Sequence, residues 1–255
     1  MTTVSVITIC LNAAKTIEQT IKSVRGQTYS HIEHVIIDGG SNDGTLAIID
    51  RYRDSVDYIV SERDHGLYHA MNKGIRAATG DILFFLNADD RFVDGEVVTD
   101  VVAAFREDNA LEIVYGDVLW DIEGKLRRWV QPDQFSRRSL AGRTVCHQAV
   151  FARRKLLEGD NGFNEEFRVV SDLDWLIRMA EQEVRLRHID RDIAVLGIEG
   201  RSNNTQWEFE RRRMMQRYYS NREIFLWRTV PRTFNQKIHQ ALRRVASIML
   251  GKKLD

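Results

Sequence analysis

The chain contains 255 residues, of which 43% are hydrophobic and 29% are charged. This balance excludes a disordered chain, and no apolar run approaches the ~20 residues that a membrane-spanning helix needs. The formal net charge is zero, but residues 201–255 hold 13 Lys and Arg against 4 Asp and Glu. An acidic body suited to a cation is therefore joined to a basic segment suited to an anionic surface.

The first 105 residues alternate between strand-like and helix-like segments. The predicted strands are VSVITIC, EHVIID, DYIVSE and ILFFL. The segments between them are predicted helices, because apolar residues such as Ile17, Ile21 and Val24 recur at helical spacing. One of these helices, HAMNKGIRAATG, is expected to end at Gly80. Repeated β-α units predict an α/β fold whose largely parallel sheet is covered by helices on both faces.

Three further strands and one strong helix follow, so the sheet is expected to become mixed. The predicted strands are EIVYGDVLW, VCHQAVF and DIAVLGI, and the helix is DLDWLIRMAEQ. Residues 231–255 predict an amphipathic basic helix, with an apolar stripe formed by Phe234, Ile238, Leu242, Val245 and Met249. That stripe suits either an anionic membrane surface or the protein core.

The two cysteines, Cys10 and Cys146, lie far apart, which indicates neither a disulfide framework nor a metal cluster. The N-terminus has no basic region ahead of its apolar stretch and does not resemble a signal peptide. A cytoplasmic location is therefore expected.

Ligands of open α/β sheets bind outside the carboxyl ends of the strands, so the loops there are the candidate site. In chain order these loops are LNA, DGGSNDGT, ERDHG and NADD. DGGSNDGT begins with Asp38, directly after the second predicted strand, and is a glycine-rich turn through which a ligand can approach backbone amides. The alternative is a plain tight turn with an Asp cap, since neither the dinucleotide-binding nor the P-loop spacing is present.

NADD places Asp89 and Asp90 directly after an apolar strand. Two adjacent carboxylates at the edge of an apolar region raise each other's pKa unless a cation compensates them. Mg²⁺ or Mn²⁺ suits such a pair, because one or two protein carboxylates hold it together with diphosphate oxygens and water. The alternative is that the pair caps the helix predicted shortly afterwards.

SDLDW opens the helix predicted near residue 171. Ser171 is the expected N-cap, which places Asp172 in the first turn, where the helix dipole favours its ionised form. An ionised carboxylate can accept a proton, so Asp172 is a candidate general base. The same pattern is also typical of any well-capped helix.

Taken in order, these segments resemble the family 2 glycosyltransferases, which have the GT-A fold. They are most similar to the bacterial subgroup that builds surface polysaccharides of the colanic-acid, O-antigen and capsule type. The resemblance spans residues 4 to about 178 and rests on SVITICLNAAKTIEQTIKSVRGQTY, VIIDGGSNDGT, SERDHGLYHAMNKGI, GDILFFLNADDRF, YGDV, CHQAVF and SDLDWLIR. Each segment alone is a weak signal, whereas the ordered set is specific.

The resemblance implies an enzyme that uses a nucleotide-diphosphate sugar and a divalent cation and inverts the anomeric carbon. The implied fold has a Rossmann-like nucleotide-binding half and a mixed, mainly parallel central sheet. The implied donor-binding residues are Leu11, Asn12, Asp38, Asp64, Asn72 and Asp89. Asp90 would hold the cation together with Asp89, and Asp172 would take the proton of the acceptor hydroxyl. His147 and Gln148 would lie beside the acceptor.

Three departures from the family pattern bear on these roles. Gly39 stands where many relatives have a second aspartate that contacts uridine; UDP remains the expected nucleotide, because DGGS also occurs in the polysaccharide subgroup. Asn87 replaces an acid of many relatives, which leaves Asp89 and Asp90 to hold the cation. The QxxRW signature of processive synthases is absent, so we expect one sugar per encounter.

The expected organisation is a nucleotide-sugar-binding half at residues 1–105, an acceptor-binding and catalytic half of the same domain at 106–200, and a basic helical extension at 201–255. The expected acceptor is a glycan on polyprenyl diphosphate at the inner face of the cell membrane, where the extension is drawn to the anionic surface. Nucleic acid is not an expected partner, because the body is acidic. A metal-dependent nucleotidyltransferase and a non-catalytic module that binds sugar nucleotides are the alternatives.

Overall fold

The structure is a computed structural model that describes residues 1–197, 204–220 and 223. In these ranges the strands are β1 (Val4–Cys10), β2 (Ile32–Asp38), β3 (Tyr58–Ser61), β4 (Ile82–Phe85), β5 (Arg91–Phe92), β6 (Ile113–Ile122), β7 (Lys125–Trp129), β8 (Val150–Arg153) and β9 (Leu186–Leu196). The helices are α1 (Ile17–Arg25), α2 (Thr45–Asp50), α3 (Leu67–Ala77), α4 (Val97–Glu107), α5 (Arg137–Leu140), α6 (Ser171–Glu181) and α7 (Asn204–Tyr218).

The strands form one mixed sheet in the order β3-β2-β1-β4-β8-β6-β9-β5, with β7 paired to β6. The first four strands of this order are parallel. β8 is antiparallel to both of its neighbours, and β6 and β9 are parallel to each other. The carboxyl ends of β1, β2, β3, β4, β6 and β9 therefore lie at one edge of the sheet. The expected α/β class with a mixed sheet is confirmed.

Both faces of the sheet are buried, because side chains along each strand alternate between two helical layers. On one face, Ile7 and Leu83 pack in a cluster with residues of α3, α6 and α7. On the other face, Val6 and Phe84 pack with residues of α4, and Ile36 packs with residues of α1 and α2. This two-sided burial explains why the strands are continuous apolar runs.

The prediction of one strand at VCHQAVF is wrong for its first half. His147–Ala149 forms a 3₁₀ turn, and β8 begins only at Val150. The backbone amide of Cys146 donates to the buried side chain of Gln131 (2.9 Å) rather than to a neighbouring strand. A side chain from another segment thus replaces the ladder bond that a strand would make here.

The predicted end of α3 at Gly80 is also wrong. The helix ends at Ala77, because Ala78 already has extended backbone angles. Gly80 instead lies against β1, where a Cβ atom would be 2.5 Å from Ser5 Oγ. This glycine therefore permits a close approach of two backbones and does not terminate the helix.

α7 falls within the predicted extension at residues 201–255 and packs on the body of the protein. Its Met214 and Met215 are buried in the same cluster as the residues of α3 and α6. The carboxylate of Glu210 accepts hydrogen bonds from the amides of Arg168 (2.8 Å) and Val169 (2.9 Å) and so holds the loop ahead of α6. The amphipathic helix predicted at 231–255 lies outside the described residues.

Candidate active site

The loops after β1 and β2 are joined by hydrogen bonds into one unit. Asn12 has a left-handed backbone (φ 52°), and its amide donates to Ser41 Oγ (2.7 Å). Its side-chain oxygen accepts from the amide of Asn42 (3.0 Å). Leu11, at the tip of this unit, is 62% exposed. An exposed apolar side chain at the carboxyl edge of the sheet is available to a flat ligand such as a nucleotide base.

Asp38 ends β2, but its carboxylate is turned into the protein. The residue is fully buried and accepts hydrogen bonds from the amides of Gly40 and Ser41 and from the hydroxyls of Ser41 and Ser61. Burial opposes ionisation, yet these bonds hold the pKa of Asp38 below its ordinary value. Asp38 therefore fixes the turn, as the plain-turn alternative expects, and its contact with the nucleotide stays a prediction.

Asp64 lies beside the joined loops. Its Oδ1 accepts from Lys73 Nζ (2.6 Å) and is 3.3 Å from His69 Nδ1. A Cβ atom at Gly39 would lie 3.2 Å from Asp64 Oδ2 and 3.4 Å from Leu11 Cδ1. An aspartate at position 39 would approach the Asp64 carboxylate closely and place a second negative charge beside it. Glycine at position 39 avoids this approach.

Asp90 is buried, with only 3% of its surface exposed. Its Oδ1 accepts from the amide of Gly197 (2.9 Å), and its Oδ2 accepts from Gln148 Nε2 (3.2 Å). Burial, and to a smaller extent the charge of Asp89, raises the pKa of Asp90 to about 7. The sequence predicted that the adjacent carboxylates would raise each other's pKa, and this effect is present at Asp90. The two hydrogen bonds to its carboxylate favour the ionised form and oppose part of the rise.

The capping alternative for the acidic pair is wrong. Asp90 is followed directly by β5, which pairs with β9. α4 begins only at Val97, and Glu96 occupies its N-cap position. The backbone carbonyl of Asp90 instead accepts from the hydroxyl of Thr20 in α1 (2.6 Å). The pair belongs to the sheet edge and not to a helix terminus.

The acidic pair alone supplies few metal ligands. The part of the chain that the structure describes contains no group of three or more His, Cys, Asp or Glu side chains that could hold a metal ion. Within that part, Asn87 Oδ1 is a buried oxygen without a hydrogen-bond partner. Two carboxylates and an amide oxygen fit Mg²⁺ or Mn²⁺, which commonly bind few protein oxygens and complete their coordination with substrate phosphates and water.

The 3₁₀ turn His147–Ala149 lies between Asp90 and Asp172 and contacts both side chains. Gln148 donates to Asp90, as described above, while His147 Nδ1 lies 3.2 Å from Asp172 Oδ2. His147 Nε2 is buried and has no hydrogen-bond partner among the described residues. Adjacent residues of one turn thus hold Asp90 and Asp172, which are distant in the sequence. The structure brings these four predicted site residues together.

Asp172 lies in the first turn of α6, as predicted. Besides His147, the hydroxyl of Tyr68 donates to its Oδ1 (2.9 Å). Burial opposes ionisation, but the bonds from His147 and Tyr68 and from the amide of Leu173 hold the pKa of Asp172 below its ordinary value. The carboxylate is therefore ionised near neutral pH and can accept a proton.

The prediction of Ser171 as N-cap of α6 is wrong. Ser171 is the first helical residue, and the carbonyl of Val170 accepts the first helical bond, from the amide of Asp174 (3.0 Å). The amides of the preceding loop are taken by Glu210 of α7. The start of α6 is thus set by a distant helix, which a local capping pattern does not reveal.

Asn72 lies on α3, away from the joined loops. Its Nδ2 donates to the carbonyl of Phe163 (2.8 Å), and its Oδ1 accepts from the amide of Phe163 (2.9 Å). Its Nδ2 also bonds Glu165 Oε1 (2.8 Å). The side chain holds the segment that leads into α6, and its contact with the nucleotide stays a prediction.

Sequence reasoning missed the support behind the turn. Gln131 Oε1 accepts from the amide of Cys146, and the amide of Gln131 donates to Asp117 Oδ1 (2.7 Å). Asp117 is fully buried and is flanked by Arg128 (3.1 Å) and His188 (2.9 Å). Its position after a glycine in a predicted strand is a weak signal, and nothing in the sequence pairs it with Gln131.

The sequence matches the family model for glycosyl transferase family 2 over residues 5–160. An uncharacterized glycosyltransferase of Mycobacterium tuberculosis (strain CDC 1551 / Oshkosh) is 39% identical over 181 residues, which cover 70% of this chain and 69% of the relative.

Two solved structures resemble the fold. S. aureus TarS in complex with UDP-GlcNAc superposes with a TM-score of 0.68 at 20% identity, covering 85% of this chain and 65% of that one. The mannosyltransferase PcManGT from Pyrobaculum calidifontis, in complex with GDP-Man and Mn²⁺, superposes with a TM-score of 0.64 at 20% identity, covering 85% and 63%. The present chain thus spans less than two-thirds of either, and these likenesses confirm the expected GT-A fold alone.

We predict that Asp90→Asn stabilises the metal-free protein at high pH. The folded protein keeps the Asp90 proton up to about pH 7, whereas the ordinary pKa is 3.8, so the wild type loses stability as the pH rises between these values. The variant avoids this loss, and its free energy of unfolding should exceed that of the wild type by up to about 4 kcal/mol above pH 7. Urea unfolding in EDTA at about pH 4 and pH 8 measures the difference.

The control is Asp54→Asn, which removes an exposed carboxylate. It should change the free energy of unfolding little at either pH. An equal change in the free energy of unfolding at both pH values for Asp90→Asn would contradict a raised pKa of Asp90 in the folded protein.

Proposed function

Because the chain belongs to glycosyl transferase family 2, we propose that it transfers a sugar from a nucleotide-diphosphate sugar to a hydroxyl of a glycan acceptor, with inversion. The turn His147–Ala149 carries this proposal, since its side chains contact both Asp90 and Asp172. A transferase of this kind needs charge compensation at the leaving group and a base at the acceptor, a short distance apart. Asp90, through the cation that it would hold, and Asp172, as the base, would supply these two functions on either side of one turn.

The proposed donor is a UDP-sugar bound at the joined loops. Exposed Leu11 and the ordered Asn12 suit contact with the base and ribose, and Asp64 lies against the same loops. Asp38 and Asn72 are also assigned to this site; the hydrogen bonds of Asp38 support it as a residue that shapes the loops, whereas those of Asn72 hold the segment that leads into α6. TarS was solved with UDP-GlcNAc, which favours UDP as the nucleotide.

The proposed cofactor is Mg²⁺ or Mn²⁺, with Asp90 and Asp89 as its protein ligands. When bound, the cation would offset the negative charge that develops on the departing diphosphate. The raised pKa of Asp90 supports this assignment, because a compensating positive charge would return the carboxylate to its ionised form. PcManGT was solved with Mn²⁺, which also favours a divalent cation.

The proposed base is Asp172. The oxygen of the acceptor hydroxyl attacks the anomeric carbon, the bond to the nucleotide diphosphate breaks on the opposite face, and Asp172 takes the hydroxyl proton. One displacement inverts the stereocentre, so no covalent glycosyl-enzyme is required. His147 and Gln148 are proposed to contact the acceptor, and the buried Nε2 of His147 offers a partner for one of its hydroxyls.

The proposed acceptor is a polyprenyl-diphosphate-linked glycan of bacterial surface polysaccharide biosynthesis, reached from the cytoplasmic side of the membrane. The excess of Lys and Arg in residues 201–255 supports this placement, because each basic residue near an anionic surface adds about 1 kcal/mol of attraction. Among the described residues, no helix combines the length and apolarity required to cross a bilayer. We therefore propose peripheral contact through the C-terminal segment.

We predict that Asp172→Asn lowers the rate of transfer by about 10²- to 10⁴-fold, because the variant cannot accept the proton. Binding of UDP should not change, since Asp172 does not contact the joined loops in the described hydrogen bonds. UDP release from a panel of UDP-sugars measures turnover, and calorimetry measures UDP binding. Asp174→Asn, two residues along α6, is the matched control and should retain activity.

The same assay separates the alternatives. A nucleotidyltransferase would release pyrophosphate in place of UDP, and a binding module would bind UDP-sugars without turnover in any variant. Normal transfer by Asp172→Asn would remove Asp172 as the base.

We predict that deletion of residues 231–255 abolishes co-sedimentation with vesicles that contain phosphatidylglycerol, because the deletion removes much of the basic charge. Hydrolysis of soluble UDP-sugars should persist, while activity on a lipid-linked acceptor should fall. Neutral phosphatidylcholine vesicles are the control. Unchanged sedimentation together with unchanged activity on the lipid-linked acceptor would contradict peripheral membrane contact.

A further inference from the structure

α3 connects the third strand-end loop with the helix that carries Asp172. The helix begins at Leu67, directly after the loop of Asp64, and its Lys73 bonds the Asp64 carboxylate. At the second residue of the helix, the Tyr68 hydroxyl donates to Asp172 Oδ1 at 2.9 Å. A further turn along, Asn72 binds both backbone polar groups of Phe163, in the segment that leads into α6. α3 is therefore bonded both to the proposed base, through Tyr68 at its start, and to Asp64 of the donor side, through Lys73.

Tyr68 is held in place by packing and not by its hydroxyl alone. The residue is 4% exposed, and its ring lies 5.5 Å from the ring of Phe163. Burial, and then the charge of Asp172, raises the pKa of Tyr68 well above its ordinary value, so the hydroxyl stays protonated. A protonated hydroxyl against an ionised carboxylate acts as a fixed donor.

The two carboxylate oxygens of Asp172 are contacted by side chains from two different segments. Tyr68 of α3 binds Oδ1, and His147 of the 3₁₀ turn lies 3.2 Å from Oδ2. Two donors on different oxygens fix the plane of the carboxylate and its side-chain rotamer. A base that is fixed in this way loses little entropy when it meets the acceptor hydroxyl.

We propose that Tyr68 is a positioning residue for the transfer reaction: its hydroxyl holds the carboxylate of Asp172 in the orientation in which it takes the acceptor proton. This inference rests on the proposed function, because it requires Asp172 to be the base. Tyr68 itself need not touch the sugar, and the proton is transferred from the acceptor oxygen to Asp172. The role of the hydroxyl is to set the geometry and the acidity of that carboxylate.

The hydroxyl also has a consequence for the pH dependence of the rate. The groups that face Asp172 are Tyr68 from α3, His147 and the buried thiol of Cys146 from the turn, and the amide of Leu173 from its own helix. Loss of the Tyr68 hydroxyl removes one donor to the ionised form and raises the pKa of Asp172. Since the base must be ionised, the acid limb of the rate profile moves to higher pH. His147 is present in wild type and variant alike and therefore does not produce this difference.

The test compares Tyr68→Phe with Tyr218→Phe. Tyr218 is a matched control, because its hydroxyl donates to the carboxylate of Asp174 (2.8 Å) on the same helix. The assay follows UDP release from UDP-GlcNAc, UDP-glucose or UDP-galactose with Mn²⁺, from about pH 5 to pH 9, using whichever donor the wild type turns over fastest.

We expect Tyr68→Phe to lower kcat by about 10- to 100-fold without changing the donor KM. Its acid limb should move up by about one pH unit. Tyr218→Phe should leave both kcat and the acid limb unchanged. A third protein, with 3-fluorotyrosine at position 68, carries a stronger donor, and its acid limb should move in the opposite direction. This graded series keeps the aromatic ring and the fold.

An unchanged kcat and acid limb in Tyr68→Phe, with Asp172→Asn inactive, would overturn the role of Tyr68 and leave the proposed function standing. Equal effects of Tyr68→Phe and Tyr218→Phe would also overturn it, because they would indicate a general packing defect. Full activity of Asp172→Asn would overturn the proposed base and the inference together.

Discussion

Asp90 is an acid buried directly before β5, where burial opposes its charge, and the other groups of the site are arranged around this constraint. β5 follows Asp90 directly and pairs with β9, so the end of β9 brings the Gly197 amide to the carboxylate. A Cβ atom at Gly197 would lie 2.6 Å from the carbonyl oxygen of Asp89, so this approach requires glycine. The two segments that bond the Asp90 carboxylate come from the later half of the chain, which is therefore part of the same site.

The short turn at His147–Ala149 transmits this arrangement to the second acid. The side chain of Gln148 bonds Asp90, and that of His147 contacts Asp172. The separation of the two carboxylates therefore depends on the backbone between two adjacent residues. Gln131 fixes that backbone from behind through the Cys146 amide and is itself bonded to buried Asp117. Functional side chains whose backbone is held by further buried hydrogen bonds are typical of sites in which geometry matters to the chemistry.

The sequence was sufficient to predict the α/β fold, the four strand-end loops and the placement of Asp172 in a first helical turn. These features follow from local periodicity and from the rule that parallel strands end at one edge. Long-range partners were not predictable. Tyr68 lies on the core face of α3 with Met71 and Ile75, so its position in the sequence predicts only a packing role. Its hydroxyl nevertheless donates to Asp172, 104 positions away. The bonds of Asp38 to Gly40 and Ser41 are local and agree with the plain-turn alternative, but its bond from the Ser61 hydroxyl, 23 positions away, was not predictable. The start of α6 depends on Glu210, in a helix that follows it.

The central claim is that Asp90 is compensated by a divalent cation when nucleotide diphosphate binds. Calorimetric titration of the wild type and of Asp90→Asn with UDP, each with Mn²⁺ and with EDTA, tests it most directly. The asparagine retains an oxygen that can accept from the Gly197 amide, so the comparison removes the charge with little change in shape. We expect Mn²⁺ to strengthen UDP binding by the wild type at least about tenfold and to have no effect on the variant. An equal strengthening by Mn²⁺ in both proteins would contradict the account.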